Sequence, residues 1–240
     1  MKISIMTLFP NMIEGFFQDS ILKRAIDKGL VEIELINPRN YSLDKHHHVD
    51  DTTYGGGAGM VLACPPIFAC YEAISKPNHT IILTPQGKPY KQEDAKRLTE
   101  YDHLVLICGH YEGFDERIRT LADEQISIGD YVLTGGELGA LVICDSVIRL
   151  LDGAITNESK EDDSFSNGLL EYPQYTKPPV FRGMEVPEVL QNGNHELIRR
   201  YRLKEALRNT YLHRPDLLEN YQFNDEEKKF LDEIKKESSK

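Results

Sequence analysis

Residues 109–140, GHYEGFDERIRTLADEQISIGDYVLTGGELGA, contain two glycine-rich loops that carry carboxylates and lie beside short apolar runs. The residues just before this stretch, 104–108, form a continuous apolar run typical of a buried strand, and Gly109 follows at once. A glycine lets the chain turn there and lets a ligand approach the backbone, because no Cβ is in the way. The stretch therefore predicts a binding site built largely from backbone groups.

The second apolar run of this stretch, 128–133, is interrupted by a Gly-Asp pair and ends in Thr-Gly-Gly at 134–136. Its free N–H and C=O groups are suited to read the polar edge of a nucleobase. The spacing is neither the G-x-G-x-x-G of Rossmann folds nor that of a P-loop, which needs Lys followed by Ser or Thr. The other glycine cluster, YGGGAGM at 54–60, follows a polar stretch and predicts a mobile loop.

The order of apolar patterns predicts the organisation of the first part of the chain. Short strand-like runs alternate with helical patterns, and strand, helix, strand in series indicates parallel pairing in an α/β fold. The predicted strands cover 2–7, 31–36, 80–84 and 103–108. The predicted helices cover 12–28, 65–75, 92–100 and 137–151, the last of them largely buried and ended by Gly153.

The last third of the chain has a different pattern. Residues 152–167 are polar and acidic with neither period, which predicts a linker or a mobile loop. Residues 187–240 are helical in pattern and poor in strand signals. They predict a second, smaller α-helical domain.

One helix of that domain, predicted at 195–211, is amphipathic and basic. Its apolar ridge comprises Leu203, Leu207 and Tyr211, and its basic ridge comprises Arg200, Lys204 and Arg208, widened by Arg199 and Arg202. Two interpretations of the basic ridge stay open. It is a solvated face paired with Glu196 and Glu205, or it contacts phosphate groups.

The composition sets outer limits on the class of protein. A chain of 240 residues with 40% hydrophobic content suits one large or two small domains. No span approaches the length of a membrane helix and no signal-peptide pattern opens the chain, so we expect a cytoplasmic location. A net charge of −11 argues against a protein coated in nucleic acid, although it allows a local basic groove.

The residues that most often bind metals have no suitable pattern here. The four cysteines sit in mainly apolar surroundings without a C-x-x-C pair, which predicts reduced thiols and no zinc site. His46-His47-His48 are consecutive, so their side chains point in different directions and predict a solvated loop.

A set of motifs follows in one order along nearly the whole chain. They are YGGGAGM at 54–60, TPQG at 84–87, GHYEGFDER at 109–117, SIGDYVLTGGE at 127–137, EDDSF at 161–165, PEVLQNGN at 187–194 and RLK at 202–204. In this order and spacing the chain resembles the bacterial tRNA (guanine-N1) methyltransferases of the SPOUT superfamily. Any one motif alone would be weak evidence, whereas the ordered set is specific.

The resemblance implies an architecture and partners. It implies a SPOUT-type α/β domain with a deep C-terminal trefoil knot at 1–155, a flexible linker at 156–168 and a small α-helical tRNA-binding domain at 169–240. It implies a homodimer that holds S-adenosylmethionine in the knot and binds tRNA, with no DNA or membrane partner and no metal site, and it leaves a role for Mg²⁺ open. The implied cofactor contacts are Thr84, Pro85, Gly109, Tyr111, Glu112, Gly113, Ile128, Gly129, Asp130, Tyr131, Val132, Leu133, Gly135 and Gly136.

The resemblance also implies a reaction, methyl transfer to N1 of guanosine-37 of tRNA, 3′ to the anticodon and preceded by another guanosine. N1 carries a proton at neutral pH, so the transfer needs a base, and negative charge grows on O6. By resemblance Asp163 is the base, its acidic neighbours favour proton acceptance near neutrality, and Arg149 stabilises O6. Without the resemblance, the sequence favours plainer roles. Asp163 would be a solvated carboxylate of the linker, and Arg149 would be a cation at a helix C-terminus that interacts favourably with the helix dipole.

Glu112 has two interpretations of equal weight. It binds a metal or the sulfonium end of the cofactor, or it is a capping or salt-bridge carboxylate with Arg117 or Arg119.

The chain departs from the family pattern at His110, often Arg, at Glu171, often Asp, and at Gln174, where many members have His. An acid or base role of that histidine cannot pass to Gln174, whose amide only forms hydrogen bonds. Two other functions stay open, namely a SPOUT methyltransferase that acts on another RNA and a non-catalytic RNA-binding homodimer.

Overall fold

A parallel sheet organises the first of two units into which the chain divides. The computed structural model describes residues 1–155, 164–165 and 167–238, and the units are Met1–Thr156 and Asn157–Lys240. The strands of the first unit are β1 (Lys2–Met6), β2 (Glu32–Ile36), β3 (Asp50–Asp51), β4 (Val61–Leu62), β5 (His79–Pro89), β6 (His103–Cys108) and β7 (Glu124–Ser127). Five of them form the sheet in the order β2-β1-β6-β5-β7, with every neighbouring pair parallel. The parallel α/β arrangement predicted from the sequence is confirmed.

The central strand β6 explains why these apolar runs form strands. Successive side chains of a strand point to opposite faces, and parallel sheets are covered on both faces. Leu104 and Leu106 pack into one hydrophobic cluster, and Val105 and Ile107 pack into the other. All four side chains are fully buried, so the run is apolar without alternation.

Helices cover both faces of the sheet. They are α1 (Pro10–Ile13), α2 (Ser20–Asp27), α3 (Cys64–Glu72), α4 (Gln92–Leu98) and α5 (Glu137–Ile148). α5 contacts both α2 and α4 on one face, whereas α3 contributes Ile67 and Cys70 to the cluster on the other. α5 is largely buried, as predicted, although it ends at Ile148 and Gly153 lies in a turn beyond it.

The single helix predicted at 12–28 is wrong. The segment divides into α1, a 3₁₀ helix at Glu14–Gln18, and α2. The break lies at Asp19 and Ser20. Asp19 has an extended backbone, and Ser20 has a φ of 62°, which is incompatible with a continuous right-handed helix. The break lets Phe17 and Leu22 both enter the core, where each is 5% exposed.

The strand predicted at 80–84 extends to Pro89 because the chain pairs again with β7 after a bulge. Leu83 and Lys88 both pair with Ile126, so the residues between them bulge out of the ladder. The sequence reading did not predict β7, whose four residues include Glu124 and Gln125.

Smaller elements complete the first unit. β3 and β4 form an antiparallel ribbon whose connection is the exposed glycine-rich loop at 54–60. Further 3₁₀ helices cover Pro38–Tyr41 and Glu116–Leu121.

The second unit consists mainly of helices. It contains a short hairpin of β8 (Val180–Phe181) and β9 (Met184–Glu185), the helices α6 (His195–His213) and α7 (Asp225–Ser238), and 3₁₀ helices at Glu188–Leu190 and Pro215–Leu218. Its buried core comprises Leu169, Ala206, Leu207, Phe230 and Ile234. Gln174 donates its side-chain amide to the carboxylate of Glu171.

The basic ridge of α6 is paired with carboxylates. Arg200 pairs with Glu226 at 3.0 Å, Lys204 pairs with Glu233 at 2.7 Å, and Arg208 pairs with Glu237 at 2.6 Å. Arg199 and Arg208 also pair with Glu196 and Glu205 on their own helix. Of the two interpretations, the structure supports the paired face, with most partners supplied by α7.

The cysteines are free thiols, and three of the four are buried. Burial raises the pKa of the Cys70 thiol to about 12, which keeps it protonated and unreactive at neutral pH. None of the helices in the described part of the chain has the length and apolar character needed to cross a membrane.

Candidate active site

A cavity of about 450 Å³ lies at the carboxyl ends of three adjacent strands. Its walls are the segments that follow Leu83 in β5, Cys108 at the end of β6 and Ser127 at the end of β7. The carboxyl ends of parallel strands are where open α/β sheets bind ligands. The fold thus brings together three loops that are far apart in the sequence.

Two glycines allow the loop after β7 to lie directly on the end of β6. Gly136 donates its amide to the carbonyl of Gly109 at 2.8 Å, and a Cβ on Gly136 would lie 2.8 Å from Cα of Cys108. A Cβ on Gly109 would lie 2.8 Å from the ring of Phe114. Both positions need glycine, because the backbone packs more closely there than a side chain permits.

Local hydrogen bonds shape the loop after β7. The Ser127 hydroxyl donates to the carbonyl of Gly129 at 3.1 Å, and the Tyr131 hydroxyl donates to the carbonyl of Ile128 at 3.1 Å. Gly129 has a φ of 149°, which L side chains rarely adopt. The amide of Val132 donates to none of the described residues, so this loop offers a backbone donor to a ligand.

The loop after β6 is joined to the glycine-rich loop at 54–60. Glu112 donates its amide to the carbonyl of Met60 at 3.0 Å, and Leu62 donates to the carbonyl of Gly113 at 2.9 Å. A Cβ on Gly59 would lie 2.7 Å from Oε1 of Glu112. The glycine-rich loop is therefore anchored to the wall of the cavity at its carboxyl end.

In the structure, Glu112 forms no salt bridge with Arg117 or Arg119, because each arginine pairs with another carboxylate. Arg117 pairs with Asp115 at 2.6 Å, and Arg119 pairs with Glu116 at 3.0 Å. Hydrogen bonds from the Arg117 side chain and amide hold the pKa of Asp115 well below its ordinary value. Glu112 lines the cavity and forms no ion pair within the described residues.

His110 is a polar residue of the cavity wall, and one nitrogen of its ring has no hydrogen-bond partner among the described residues. Its ring centroid lies 4.7 Å from that of Phe9, and its backbone bridges to Gly135. Its Nδ1 atom is buried and has no partner in the part of the chain that the structure describes. Such an atom is costly to bury unless a ligand or water completes its bonding.

A buried carboxylate holds the first turn of α5 next to the cavity. Glu137 is 2% exposed and follows Gly136 directly. The Thr7 hydroxyl donates to Oε1 of Glu137 at 2.8 Å, and the helix N-terminus favours negative charge there. Burial raises the pKa of the neighbouring Cys108 thiol well above its ordinary value, and the charge of Glu137 adds to this.

The structure places the predicted cofactor residues together. All of them except Asp130 line this cavity. Several lining residues were not assigned from the sequence, namely Leu83, Gln86, His110, Phe114, Glu116, Arg119, Ile126, Ser127, Thr134 and Gly139. Most of them stand inside or beside the quoted motifs, which is the signal that marks them.

Of the two predicted catalytic residues, Arg149 does not line this cavity. Arg149 is the C-cap of the 12-residue helix α5, whose first turn is at the cavity. Because a helix rises ~1.5 Å per residue, Arg149 lies roughly 18 Å away along that helix. Asp163 lies outside the described residues.

The described residues contain no group of three or more His, Cys, Asp or Glu that could hold a metal ion. His46, His47 and His48 are exposed, as predicted, and His48 pairs with Asp44 at 2.6 Å.

The fold and the cavity define an α/β protein that binds a ligand through backbone loops at the end of a parallel sheet. The sequence model of the family described as tRNA (Guanine-1)-methyltransferase TrmD matches residues 1–220. The chain belongs to this family.

Individual relatives agree over the full length. A tRNA (guanine-N(1)-)-methyltransferase of Geobacillus kaustophilus is 57% identical over 242 residues, which cover 99% of each chain. The protein of the same name from Lacticaseibacillus paracasei is 53% identical over 244 residues, covering 100% of this chain and 95% of the relative. That from Dehalococcoides mccartyi is 53% identical, covering 98% and 97%.

Proposed function

We propose that this chain transfers the methyl group of S-adenosylmethionine to N1 of a guanine in tRNA, and that the guanine is guanosine-37, preceded by another guanosine. The observation that carries the proposal is the convergence of the loops at 84–87, 109–114 and 127–136 on one cavity in a chain of this family.

The cavity suits S-adenosylmethionine. Its volume of about 450 Å³ is in the range of small-molecule sites, and the close-packed glycines leave backbone groups on its wall. Tyr131, Val132 and Leu133 expose apolar surface that a purine can cover, and the Glu112 carboxylate complements a positive sulfonium. The bound cofactor supplies a methyl group made electrophilic by its sulfonium sulfur.

The chain supplies the acid–base chemistry. With the cofactor bound, Asp163 would take the N1 proton of guanine, which would leave the N1 lone pair free to accept the methyl group. The guanidinium of Arg149 offsets the negative charge that develops on O6.

A homodimer brings Arg149 to a cavity. The Arg149 side chain cannot cross the length of α5, so the cavity is served by the copy of Arg149 in a second chain. The largely buried α5 exposes Leu138 (47%) and Val142 (45%), spaced one turn apart, and Asp145 on the same face, on a line toward Arg149. Two such helices packed antiparallel would bury this stripe and set the end of one against the beginning of the other.

The trefoil knot of the family is part of the proposal. A Cβ on Gly87 would lie 2.5 Å from the amide nitrogen of Ile126, so the segment after Leu83 crosses closely over β7. The loop after β7 returns to the end of β6 at Gly136. An experimental chain trace in which these crossings do not thread would contradict the knot.

The test of the function is transfer of labelled methyl groups to unmodified tRNA transcripts. A transcript with guanosines at 36 and 37 is expected to accept label as 1-methylguanosine, and a matched transcript with adenosine at 37 is not. Label entering ribosomal RNA fragments but not tRNA would favour another RNA substrate. A folded, dimeric protein that labels neither would favour the non-catalytic alternative.

A further inference from the structure

We propose that the second unit holds the sugar-phosphate backbone of tRNA at a pocket built on Tyr172 and Arg202, which we call the Tyr172 pocket, and not at the basic ridge of α6. The inference rests on the proposed function, because it takes tRNA as the substrate.

The Tyr172 pocket has a volume of about 350 Å³ and lies within the second unit. It is lined by Asn167, Leu169, Tyr172, His195, Ile198, Arg199, Arg202, Leu203 and Ala206. No carboxylate is among these described lining residues, although the whole chain carries a net charge of −11. Among the described residues, the nearest carboxylates that the ion pairs show are those of Glu196 and Glu226, and both are neutralised by Arg199.

Arg202 is the cation that the pocket presents. Its guanidinium carbon lies 4.8 Å from the centroid of the Tyr172 ring, and the side chain is exposed. Stacking on an aromatic face fixes the plane of the guanidinium and leaves its N–H edges for a phosphate. Within the described residues Arg202 forms no ion pair, so a phosphate that binds it competes with none of the carboxylates described.

The basic ridge lies on the opposite side of the same helix. Because α-helical residues turn by about 100° each, His195, Arg202 and Ala206 share one face, whereas Arg200 and Arg208 point roughly the other way. The ridge residues are bonded to glutamates of α7, and any phosphate would compete with them.

Arg199 also lines the pocket, but its guanidinium is already bonded to two carboxylates. Its guanidinium donates to Glu196 at 2.8 Å and to Glu226 at 2.9 Å. These hydrogen bonds raise its pKa, and they direct its charge toward the carboxylates and away from a ligand. Arg202 is therefore the residue on which the inference depends.

An RNA backbone is the partner that this chemistry favours. Arginine recognises phosphate with two parallel N–H bonds, and phosphate contacts fix the register of a nucleic acid on a protein. Such a contact predicts salt-dependent binding, because each neutralised phosphate releases a counterion.

The test compares Arg202→Ala with Arg200→Ala in the full-length protein. Dissociation constants for an unmodified tRNA transcript are measured over a series of salt concentrations, and methyl transfer is measured at saturating tRNA. Arg202→Ala is expected to weaken binding about tenfold, the size of a lost charged hydrogen bond. It should also lower the slope of log Kd against log salt by about 0.7–0.9. Arg200→Ala also removes one exposed cation, and it should change neither the dissociation constant nor the salt slope.

Further variants separate recognition from folding. Tyr172→Leu removes the aromatic face on which Arg202 stacks and should weaken binding. Arg202→Gln replaces Arg202→Ala if the latter unfolds, and the salt slope does not respond to a small loss of stability. Wild-type salt dependence in Arg202→Ala, or equal losses in Arg202→Ala and Arg200→Ala, would overturn the inference. Failure of the wild type to methylate tRNA would instead overturn the proposed function, because binding is measured separately.

Discussion

The amide of Gly136 donates a hydrogen bond to the carbonyl of Gly109 at 2.8 Å, which ties the loop after β7 to the end of β6. The two glycines belong to different sequence motifs. This bond joins the two motifs side by side, and both line the cavity. The shape of the cavity thus depends on a backbone contact that leaves no room for a side chain.

Gly136→Ala is expected to weaken binding of S-adenosylmethionine by tenfold or more. The added Cβ would lie 2.8 Å from Cα of Cys108 and 2.9 Å from the amide nitrogen of Gly109, so the loop must move. Calorimetric titration with the cofactor measures the effect. The control is Gly15→Ala, whose Cβ would meet nothing within 4 Å and which should bind normally. Unchanged affinity in Gly136→Ala would show that this wall does not contact the cofactor.

Thr7→Val is expected to destabilise the first unit by about 1–3 kcal/mol, the cost of leaving a buried acceptor without its donor. The substitution removes the bond from the Thr7 hydroxyl to Glu137, which is 2% exposed, and the bond that this hydroxyl accepts from the Phe9 amide at 3.0 Å. Urea unfolding measures the change. Thr120→Val removes an exposed hydroxyl that bonds to the carbonyl of Arg117 and should cost much less. Equal costs for the two variants would refute the role of burial.

Asp94→Asn is expected to lower stability at neutral pH but not in acid. Burial raises the pKa of Asp94, but hydrogen bonds from Lys88, the Lys91 amide and Arg97 outweigh it and bring the pKa below its ordinary value. A carboxyl with a lowered pKa in the folded state stabilises the fold above its unfolded pKa of about 3.9, and that stability is lost as the pH falls. The difference in unfolding free energy between wild type and variant should therefore narrow below about pH 4.

The matched control for this pH dependence is the exposed neighbour Glu93→Gln, which removes the same charge without the bonded surroundings. A gap between wild type and Asp94→Asn that stays constant from pH 7 to pH 3 would count against the assignment.

Val142→Glu is expected to shift the protein from dimer to monomer, because it puts a charge in the middle of the exposed stripe on α5. Analytical ultracentrifugation measures the shift. Leu43→Glu changes an apolar side chain that is fully exposed in a loop of the same unit and should leave the dimer intact. A wild type that is monomeric at all concentrations would remove the argument that a second copy supplies Arg149.

The sequence predicts the strands best where burial requires a run of apolar residues. β1 and β6 are mainly apolar because helices cover both faces of the sheet, and the edge strand β2 alternates apolar residues with Glu32 and Glu34, so the positions of all three follow from the pattern alone. β7 has no such pattern, since Glu124 and Gln125 interrupt it and its pairing depends on distant β5. The break at Ser20 likewise depends on packing Phe17 into the core, which no helical period reveals.

The site divides in the same way. The motifs identify the loops of the cavity, but their convergence is a property of strand order, and Arg119 enters the wall from a 3₁₀ helix that the pattern did not mark. The basic ridge of α6 looked available because α7, which neutralises it, stands some 30 residues later in the chain, as the pair Lys204 and Glu233 illustrates. Side chains from another element decide which cations remain exposed.

The most direct measurement is methyl transfer by wild type, Asp163→Ala and Asp162→Asn to the transcript with guanosine at 37 and to its adenosine counterpart. We expect label on guanosine alone and a loss of roughly 10²-fold or more in Asp163→Ala, as for removal of a general base. The neighbouring Asp162→Asn should retain transfer, with its pH–rate profile shifted to lower pH because one like charge beside the base is gone. Undiminished transfer by Asp163→Ala, or label on the adenosine transcript, would contradict this expectation.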